Sequence, residues 1–236
     1  MSLLILGGTA EARELAAALG GRAILSLAGV TKRPLATPHR LGGFGGAAGL
    51  AAYLSAAKIS AVIDATHPFA AQMSRHAAQA TQQTGLPLLR LQRPEWPISP
   101  DWQLAADLPM AAARLPAGAR VFLSVGSRSL VPFLHRRDIW FLTRCIEPPG
   151  HSPRGEVLLA HPPFTLAAET ALLKAHEITH LVSKNAGGGA TRAKLDAAKA
   201  LGIEVIMVNR PQLPGAFEVA SVARALNWVA QQEGKS

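Results

Sequence analysis

The chain has 236 residues, of which 49% are apolar, and its formal net charge is +9. This length allows one domain or two small ones, and the apolar fraction is enough for a sizeable core. The single cysteine, Cys145, excludes an internal disulfide and suits a reducing compartment. No apolar run approaches the roughly 20 residues that cross a bilayer, and the start lacks the basic region of a signal peptide, so we expect a cytoplasmic protein without membrane contact.

The basic charge predicts an anionic partner, which could be nucleic acid, a membrane surface or a polyanionic small molecule. Arginines and lysines are scattered singly, often where predicted strands end. The chain has neither a dense basic helix nor the aromatic array with which single-strand binders stack on bases. We therefore expect a polyanionic small molecule rather than nucleic acid. Solvated surface is the alternative for any one of these basic residues.

The N-terminal stretch reads as strand, glycine turn and helix. Residues 3–6 are a short apolar run, and Gly7, Gly8 and Thr9 separate it from an alanine- and leucine-rich segment. Glycines let the backbone turn tightly near a ligand, and the first amides of a helix bind anions. Thr9 is the predicted N-cap, and Glu11 falls in the first turn, where negative charge is favoured. The stretch predicts a Rossmann-type phosphate site; because the G-x-G-x-x-G fingerprint is incomplete, an ordinary strand-to-helix turn is the alternative.

The second predicted strand, residues 23–28, contains Ser26 and ends without an acidic residue. An acidic residue at this point favours NAD, whereas basic residues accommodate the 2′-phosphate of NADP. Lys32 and Arg33 follow in the loop 29–38. The segment therefore predicts NADPH as the cofactor, with an exposed basic loop as the alternative.

Four glycines surround one phenylalanine in residues 39–46, just before a predicted helix. Glycine disfavours regular structure, so we expect a second close approach of the backbone to the cofactor at Gly43, Phe44 and Gly45. Arg40 would then lie near a phosphate or the adenine. A flexible turn is the alternative.

A polar cluster of Asp64, Thr66 and His67 follows the predicted strand 59–64. Ligands bind at the carboxyl edge of parallel strands. Thr66 is therefore a candidate cofactor contact, and Asp64 and His67 are candidate proton donors. Alternatively, His67 caps the helix or bonds to backbone.

A stretch with three prolines and two tryptophans, residues 92–102, predicts a domain boundary. We expect an N-terminal domain of residues 1–95 and a C-terminal domain of residues 96–236. Further strands are predicted at 86–91, 121–125, 139–144, 178–183 and 203–208, and helices at 47–58, 69–84, 165–176, 192–201 and 216–232, with another helix opening at 126–129. The fold class is therefore α/β, with two halves, mainly parallel sheets and an active-site cleft between the halves.

Motifs along nearly the whole chain, in the same order, resemble the precorrin-6A reductases of cobalamin biosynthesis. They are ILGGTAEA at 5–12, DATHPFA at 64–70 and SKNAGG at 183–188, together with RPEW at 93–96 and VNRP at 208–211. The segment LSLAGVT at 25–31 looks like the aerobic-pathway branch, in which arginine often stands where Val30 stands here. Lys32 or Arg33 would substitute at the 2′-phosphate.

The resemblance implies an NADPH-dependent oxidoreductase that reduces one carbon–carbon double bond of precorrin-6A to give precorrin-6B. It also implies two Rossmann-like domains with NADP between them. The tetrapyrrole substrate carries acetate and propionate carboxylates, which suit a basic cleft. Neither nucleic acid nor membrane is an expected partner, whereas neighbouring cobalamin-pathway enzymes stay open as partners.

Residue roles follow from this hypothesis. The pyrophosphate and the adenosine half are expected to meet Gly7, Gly8, Thr9, Ser26, Lys32, Arg33, Arg40, Gly43, Phe44, Gly45 and Thr66. Lys184, Asn185, Gly187 and Gly188 are expected to close over the nicotinamide ribose. Substrate carboxylates are expected to meet Arg90, Arg93, Arg144 and Arg210. Asp64, His67, Lys184 and water are the candidate proton donors, and no residues have metal-ligand spacing, so no metal is expected.

Two other function classes stay open. The first is another NADPH-dependent reductase of an anionic small molecule on the same fold, which substrate specificity would separate. The second is a non-catalytic nucleotide-binding or nucleic-acid-binding protein. Steeply salt-dependent binding of polynucleotide without binding of NADPH would favour the second class.

Overall fold

The computed structural model describes residues 2–27, 29 and 37–234, and it divides into two compact units. The first unit is built from two stretches, one ending at Pro94 and one beginning at Gln212. The second unit runs from Glu95 to Pro211. The chain therefore passes from one unit to the other twice.

Helices and strands alternate along the described chain. In chain order they are β1 (Leu3–Leu6), α1 (Ala10–Leu19), β2 (Ala23–Leu27), β3 (His39–Leu41), α2 (Ala47–Ala56), β4 (Ala61–Asp64), α3 (Ala71–Thr84), β5 (Leu88–Leu91), β6 (Trp102–Ala105), α4 (Leu108–Arg114), β7 (Arg120–Ser124), β8 (Trp140–Cys145), β9 (Gly155–Leu159), α5 (Leu166–Ala175), β10 (His180–Lys184), α6 (Ala193–Leu201), β11 (Glu204–Val208), β12 (Phe217–Val219) and α7 (Val222–Glu233). No helix in the described ranges is both long and apolar enough to cross a membrane.

The first unit contains a parallel sheet with the strand order β12-β5-β4-β1-β2-β3. From β1 the chain moves outward through β2 and β3, and then returns to place β4 on the other side of β1. The strand order therefore reverses between β1 and β4, as it does in Rossmann sheets. This topology confirms the predicted α/β fold with a parallel sheet.

Both faces of the first sheet are covered, which explains why β1 is a continuous apolar run. Leu3 and Ile5 belong to the apolar cluster that contains residues of α1 and α7. Leu4 and Leu6 belong to the cluster that contains residues of α2 and α3. Because successive side chains of a strand point to opposite faces, each face of β1 is buried under its own pair of helices.

The second unit also contains a parallel sheet, with the strand order β6-β11-β10-β7-β8-β9. Here the order reverses between β7 and β10. Phe122, Leu142 and Leu181 of this sheet pack in one apolar cluster with Leu173 of α5 and Leu195 of α6. The second unit thus has its own core and its own reversal point.

The closing segment differs from the prediction that residues 96–236 form one domain. Strand β12 pairs with β5, with Phe217 beside Leu89, and α7 packs in the core of the first unit through residues such as Trp228. The second unit therefore ends at Pro211. The predicted boundary at residues 95–96 agrees with the structure to within one residue. A pairing between strands so far apart in sequence leaves no local pattern, which is why the second boundary, after Pro211, was not predicted.

Several local features also differ from prediction, and one of them is helix α4, which was not predicted. The short strands β3, β6, β9 and β12 were not predicted. Three of them carry no apolar run, and the apolar residues of β9 lie between Pro153 and Pro162 in a stretch that reads as a loop. The helix predicted to open at 126–129 is instead two 3₁₀ turns, Ser127–Ser129 and Val131–Phe133. Pro132 explains the difference, since proline lacks an amide donor and clashes with the preceding helical turn.

Candidate active site

The first candidate site is the carboxyl edge of the first sheet at the reversal between β1 and β4. Leu6 lies beside Asp64 in register, and the amide of Ala65 donates to the carbonyl of Leu6 over 2.9 Å. The connections that follow β1 and β4 cover opposite faces of the sheet, and a crevice forms at such a point. The residues that follow Leu6 and Asp64 are therefore the first candidates for ligand contact.

The two glycines after β1 have different structural roles. The amide of Gly7 donates to the carbonyl of Ser26 over 2.9 Å, and a Cβ at Gly7 would lie 2.5 Å from Cδ1 of Leu25. Gly8 has a φ of +134°, and a Cβ there would meet no described atom within 4 Å. Gly7 thus allows close packing on β2, while Gly8 supplies a backbone conformation beside open space that side chains rarely adopt.

Thr9 fixes the start of α1 and joins two turns. Its Oγ1 accepts a hydrogen bond from the amide of Ala12 over 3.1 Å and donates to the carbonyl of Ala65 over 2.8 Å. Within the described chain, the amides of Ala10 and Glu11 have no hydrogen-bond partner, as is usual in the first turn of a helix. These donors and the positive end of the helix fit the phosphates of a dinucleotide.

Arg40 organises the glycine-rich segment that follows β3. One guanidinium nitrogen donates to Oγ of Ser26 and to the carbonyl of Gly42, both over 2.9 Å, and another donates to the carbonyl of Gly43 over 3.1 Å. The guanidinium carbon lies 3.9 Å from the centroid of the Phe44 ring. These contacts are all with neutral groups, so the positive charge of Arg40 is available to attract an anion.

Asp64 and Arg90 form a buried network rather than an open pair of functional groups. Oδ1 of Asp64 accepts from the amide and the hydroxyl of Thr66, over 3.2 and 2.7 Å, and Oδ2 lies 3.7 Å from Nε of Arg90. Arg90 also donates to the carboxylate of Glu218 and, over 2.8 Å, to the carbonyl of Pro214. Asp64 and Arg90 are only 2% and 3% exposed, so the contacts of both side chains are mainly within the first unit.

His67 is the exposed member of the cluster after β4. Its Nδ1 accepts a hydrogen bond from the amide of Phe69 over 3.2 Å, and the two rings lie 5.9 Å apart. The backbone contact that the sequence left open is therefore present. Because Nδ1 accepts, the proton of the neutral ring is on Nε2, from which His67 can donate.

Arg93 binds the helix that begins at the glycine turn. One of its guanidinium nitrogens lies 3.1 and 3.0 Å from the two carboxylate oxygens of Glu11. Both side chains are partly exposed, at 20% and 27%. Arg93 thus stabilises the first turn of α1 and holds Glu11 in place.

The second candidate site is the carboxyl edge of the second sheet at the reversal between β7 and β10. Lys184 ends β10, and its Nζ donates to the carbonyl of Val125 over 2.7 Å and to Oγ of Ser129 over 2.6 Å. Both acceptors belong to the turn that follows β7. Burial lowers the pKa of Lys184 to about 8. The ammonium group is thus held across the reversal point and gives up its proton more easily than an exposed lysine.

Asn185 follows Lys184, and its side chain is bonded to the start of the second unit. Its Oδ1 accepts from the amide of Trp96 over 2.9 Å, and its Nδ2 donates to the carbonyl of Trp96 over 3.1 Å. Asn185 is only 1% exposed. Its carboxamide is therefore occupied by backbone, which leaves the glycines that follow as the part of this loop able to approach a ligand.

Arg210 is bonded to the same loop. Its Nε donates to the carbonyl of Asn185 over 2.9 Å, another guanidinium nitrogen donates to the carbonyl of Ala186 over 3.2 Å, and Glu95 lies 3.5 Å away. The guanidinium of Arg210 is thus used to hold backbone.

Arg144 belongs to a buried charged cluster of the second unit. Its guanidinium binds both carboxylate oxygens of Glu169, and the two side chains are 5% and 2% exposed. Lys194 lies in the same cluster and donates from Nζ to the carbonyl of Thr191 over 3.0 Å. Burial, and then the positive charge of Arg144, lower the pKa of Lys194 to about 7.

The substitution Glu169→Gln should lower the free energy of unfolding by about 3–5 kcal/mol, because it leaves the charge of Arg144 buried without a counterion. Denaturant unfolding at neutral pH measures the loss. The matched control is Asp196→Asn, which removes an exposed pair with Arg192 four residues earlier and should cost at most about 0.5 kcal/mol. Equal losses in the two variants would contradict a stabilising role for the buried pair.

Comparison with known proteins identifies the family of the chain. The model of the family described as precorrin-6x reductase CbiJ/CobK matches residues 2–230. A precorrin-6A reductase of Rhodococcus erythropolis is 51% identical over 96% of each chain, and one of Rhodobacter capsulatus is 44% identical over 97% of this chain and 95% of its own. A solved structure of CobK precorrin-6A reductase superimposes with a TM-score of 0.91 at 43% identity, covering 98% of this chain and 97% of that one. The chain belongs to the precorrin-6x reductase family.

Membership of the precorrin-6x reductase family confirms the resemblance found in the sequence and makes the chain an oxidoreductase. The structure gathers most of the predicted cofactor contacts at the carboxyl edge of the first sheet: Gly7, Gly8, Thr9, Ser26, Arg40, Gly43, Phe44, Gly45 and Thr66. Lys184, Asn185, Gly187 and Gly188 lie at the same edge of the second sheet. Lys32, Arg33 and Val30 lie outside the described residues.

The role of the four predicted substrate arginines in this precorrin-6x reductase remains a prediction, and the structure shows what they contact within the protein. Arg90, Arg93, Arg144 and Arg210 each have a carboxylate of their own unit as a partner. A basic residue at a strand end has the same sequence pattern whether its partner is a ligand or a distant carboxylate. In the described ranges, no three His, Cys, Asp or Glu side chains cluster as metal ligands.

Trp96 and Ser129 were missed as contributors to the second site. Trp96 lies in the RPEW motif and Ser129 in the turn after β7, so both were noted as local features. Ser129 is bonded to the end of β10 and Trp96 to the loop after it, and no local pattern encodes bonds between residues so far apart in sequence.

Proposed function

We propose that the chain reduces precorrin-6A to precorrin-6B with NADPH in cobalamin biosynthesis. Full-length similarity to precorrin-6A reductases at 44% and 51% identity carries the proposal. The tetrapyrrole is then the substrate partner. A cytoplasmic location belongs to the same proposal, because the one cysteine, Cys145, is a buried free thiol that suits a reducing compartment.

In this proposal NADPH binds at the reversal point of the first sheet. Gly8 and Thr9, with the amides at the start of α1, meet the pyrophosphate. Arg40 meets the phosphate on the adenosine ribose, because the hydrogen bonds of its guanidinium to described residues are with neutral groups. The donor set is therefore complementary to a dinucleotide that carries an additional phosphate.

A bound nicotinamide would supply a hydride, and the reduction also needs a proton from a side chain or from water. Asp64 is unsuitable as the donor, because it is buried beside Arg90 and accepts two hydrogen bonds. Lys184 is suitable, because its lowered pKa of about 8 lies close to neutral pH while its acid form still predominates there. We therefore propose Lys184 as the donor, with Nε2 of His67 and water as the other candidates.

The test of the proposed function is anaerobic oxidation of NADPH by the purified protein with precorrin-6A, followed by absorbance, with NADH in parallel. Turnover with NADPH and little with NADH is the expected result. Saturable binding of NADPH without turnover would support NADPH as the cofactor and would contradict precorrin-6A as the substrate. Absence of both would reject the interpretation of the glycine turn as a phosphate site.

The substitution Arg40→Ala should raise the dissociation constant for NADPH about tenfold to a hundredfold, since a hydrogen bond to a charged group is lost. The constant for NADH should change by less than about threefold, because NADH lacks the phosphate. Calorimetric titration measures both. Arg22→Ala, which removes an exposed pair with Glu233 in the same unit, is the control and should change neither. Equal losses of affinity for NADPH and NADH would mean that Arg40 does not contact the additional phosphate.

A further inference from the structure

The loop that follows β10, residues 185–188, has little conformational preference of its own. Gly187 and Gly188 have φ values of 68° and 79°, in the left-handed region, and a third glycine follows. Glycine loses more backbone freedom on ordering than any other residue. Contacts from outside the loop must therefore hold this conformation.

Three carbonyl groups of the loop are held by two side chains. Arg210 donates to the carbonyls of Asn185 and Ala186, and Nε1 of Trp96 donates to the carbonyl of Gly188 over 2.8 Å. These bonds restrain both ends of the loop. The ordered conformation of the loop thus depends on hydrogen bonds from Trp96 and Arg210.

Trp96 is itself firmly placed. Its backbone amide and carbonyl are both bonded to the side chain of Asn185, its ring packs in the apolar cluster of the second unit, and Nζ of Lys194 lies 5.0 Å from that ring. Trp96 follows the point where the chain enters the second unit, and Arg210 precedes the point where it leaves. The two ends of this unit are therefore bonded to one loop.

We infer that Trp96 and Arg210 are positioning residues, which hold the loop 185–188, and with it the adjacent Lys184, in the conformation used for turnover. This inference rests on the proposed function, because the reaction provides one of its measurements. Neither side chain has to touch substrate in this role. A small displacement of a reacting group is costly to rate, so loosening the loop should lower kcat more than it alters cofactor binding.

The test uses the full chain with Trp96→Phe, which keeps the backbone bonds to Asn185 and removes only the indole donor. We expect kcat for precorrin-6A to fall about tenfold, with the KM for NADPH changed less than about twofold. The matched control is Trp102→Phe, since Trp102 packs against the same apolar cluster but begins β6 at the opposite edge of the sheet. The control should keep kcat and show a similar shift in melting temperature.

Arg210→Lys is the second variant, and it keeps the positive charge while losing the fork that spans two carbonyls. Hydrogen–deuterium exchange of peptides covering 185–190 should speed up in both variants and not in Trp102→Phe. Unchanged exchange in both would overturn the inference even if precorrin-6A were not the substrate. Faster exchange with unchanged kcat, or a loss of kcat equal to that of the control, would also overturn it. Failure of the wild-type chain to turn over precorrin-6A would instead reject the proposed function.

Discussion

Replacing Lys184 by methionine is expected to lower kcat for precorrin-6A about a hundredfold or more, which is the usual contribution of a general acid. The reason is that the substitution removes the ammonium group held between Val125 and Ser129. The affinity for NADPH, measured by calorimetry, should change far less than kcat.

The pH dependence of kcat tests whether Lys184 donates the proton. Lys184 must be protonated to donate, so wild-type kcat should be level below its pKa of about 8 and should fall as the pH rises through that value. Lys184→Met should lack this fall. Lys199→Met, which removes an exposed lysine of the same unit, is the control and should behave like wild type. If His67→Ala lost about a hundredfold in kcat while Lys184→Met remained active, the proton donor would be His67 instead.

The substitution Gly8→Ala should raise the dissociation constant for NADPH about tenfold to a hundredfold. At a φ of +134° a side chain costs of order 1–3 kcal/mol, and the turn relieves this strain by moving its amides away from the pyrophosphate. Fluorescence of bound NADPH measures the affinity, and thermal unfolding measures the accompanying loss of stability.

Gly85→Ala is the matched control for this prediction. Gly85 has a φ of 68° at the end of α3, so alanine there should also cost stability, by about 1 kcal/mol, without affecting NADPH. Equal stability losses in the two variants with unchanged affinity in Gly8→Ala would mean that the pyrophosphate binds elsewhere.

The parts of the molecule that follow from local patterns were predictable from the sequence. The strand, turn and helix from Leu3 to Leu19 combine an apolar run, two glycines and a threonine cap, and each of these signals acts within a few residues. The strands of both parallel sheets that are buried on two faces were found for the same reason. The edge strand β9 was not found, because its apolar residues, Val157 to Leu159, lie in a proline-rich stretch that reads as a loop.

The partners of charged residues were not predictable from the sequence. Arg90 pairs with Glu218, and Arg210 holds the carbonyls of Asn185 and Ala186, across long stretches of chain. Which carboxylate or carbonyl reaches an arginine is decided by strand order, and strand order is set by packing of the whole unit. The sequence therefore located the edges of the two sheets correctly but did not reveal the protein partners of their arginines.

Strand β12 and helix α7 belong to the first unit but follow the second unit in the chain, and this order affects how the chain folds during synthesis. The ribosome delivers residues 95–211 in one continuous stretch, so the second unit can close its core while translation is still under way. The first unit begins earlier in the chain but is completed later, because Leu89 and Leu91 of β5 share an apolar cluster with Trp228, which is made after the second unit. Until α7 is made, the core of the first unit is incomplete, so a chain that stopped before Gln212 would contain a complete second unit and an incomplete first unit.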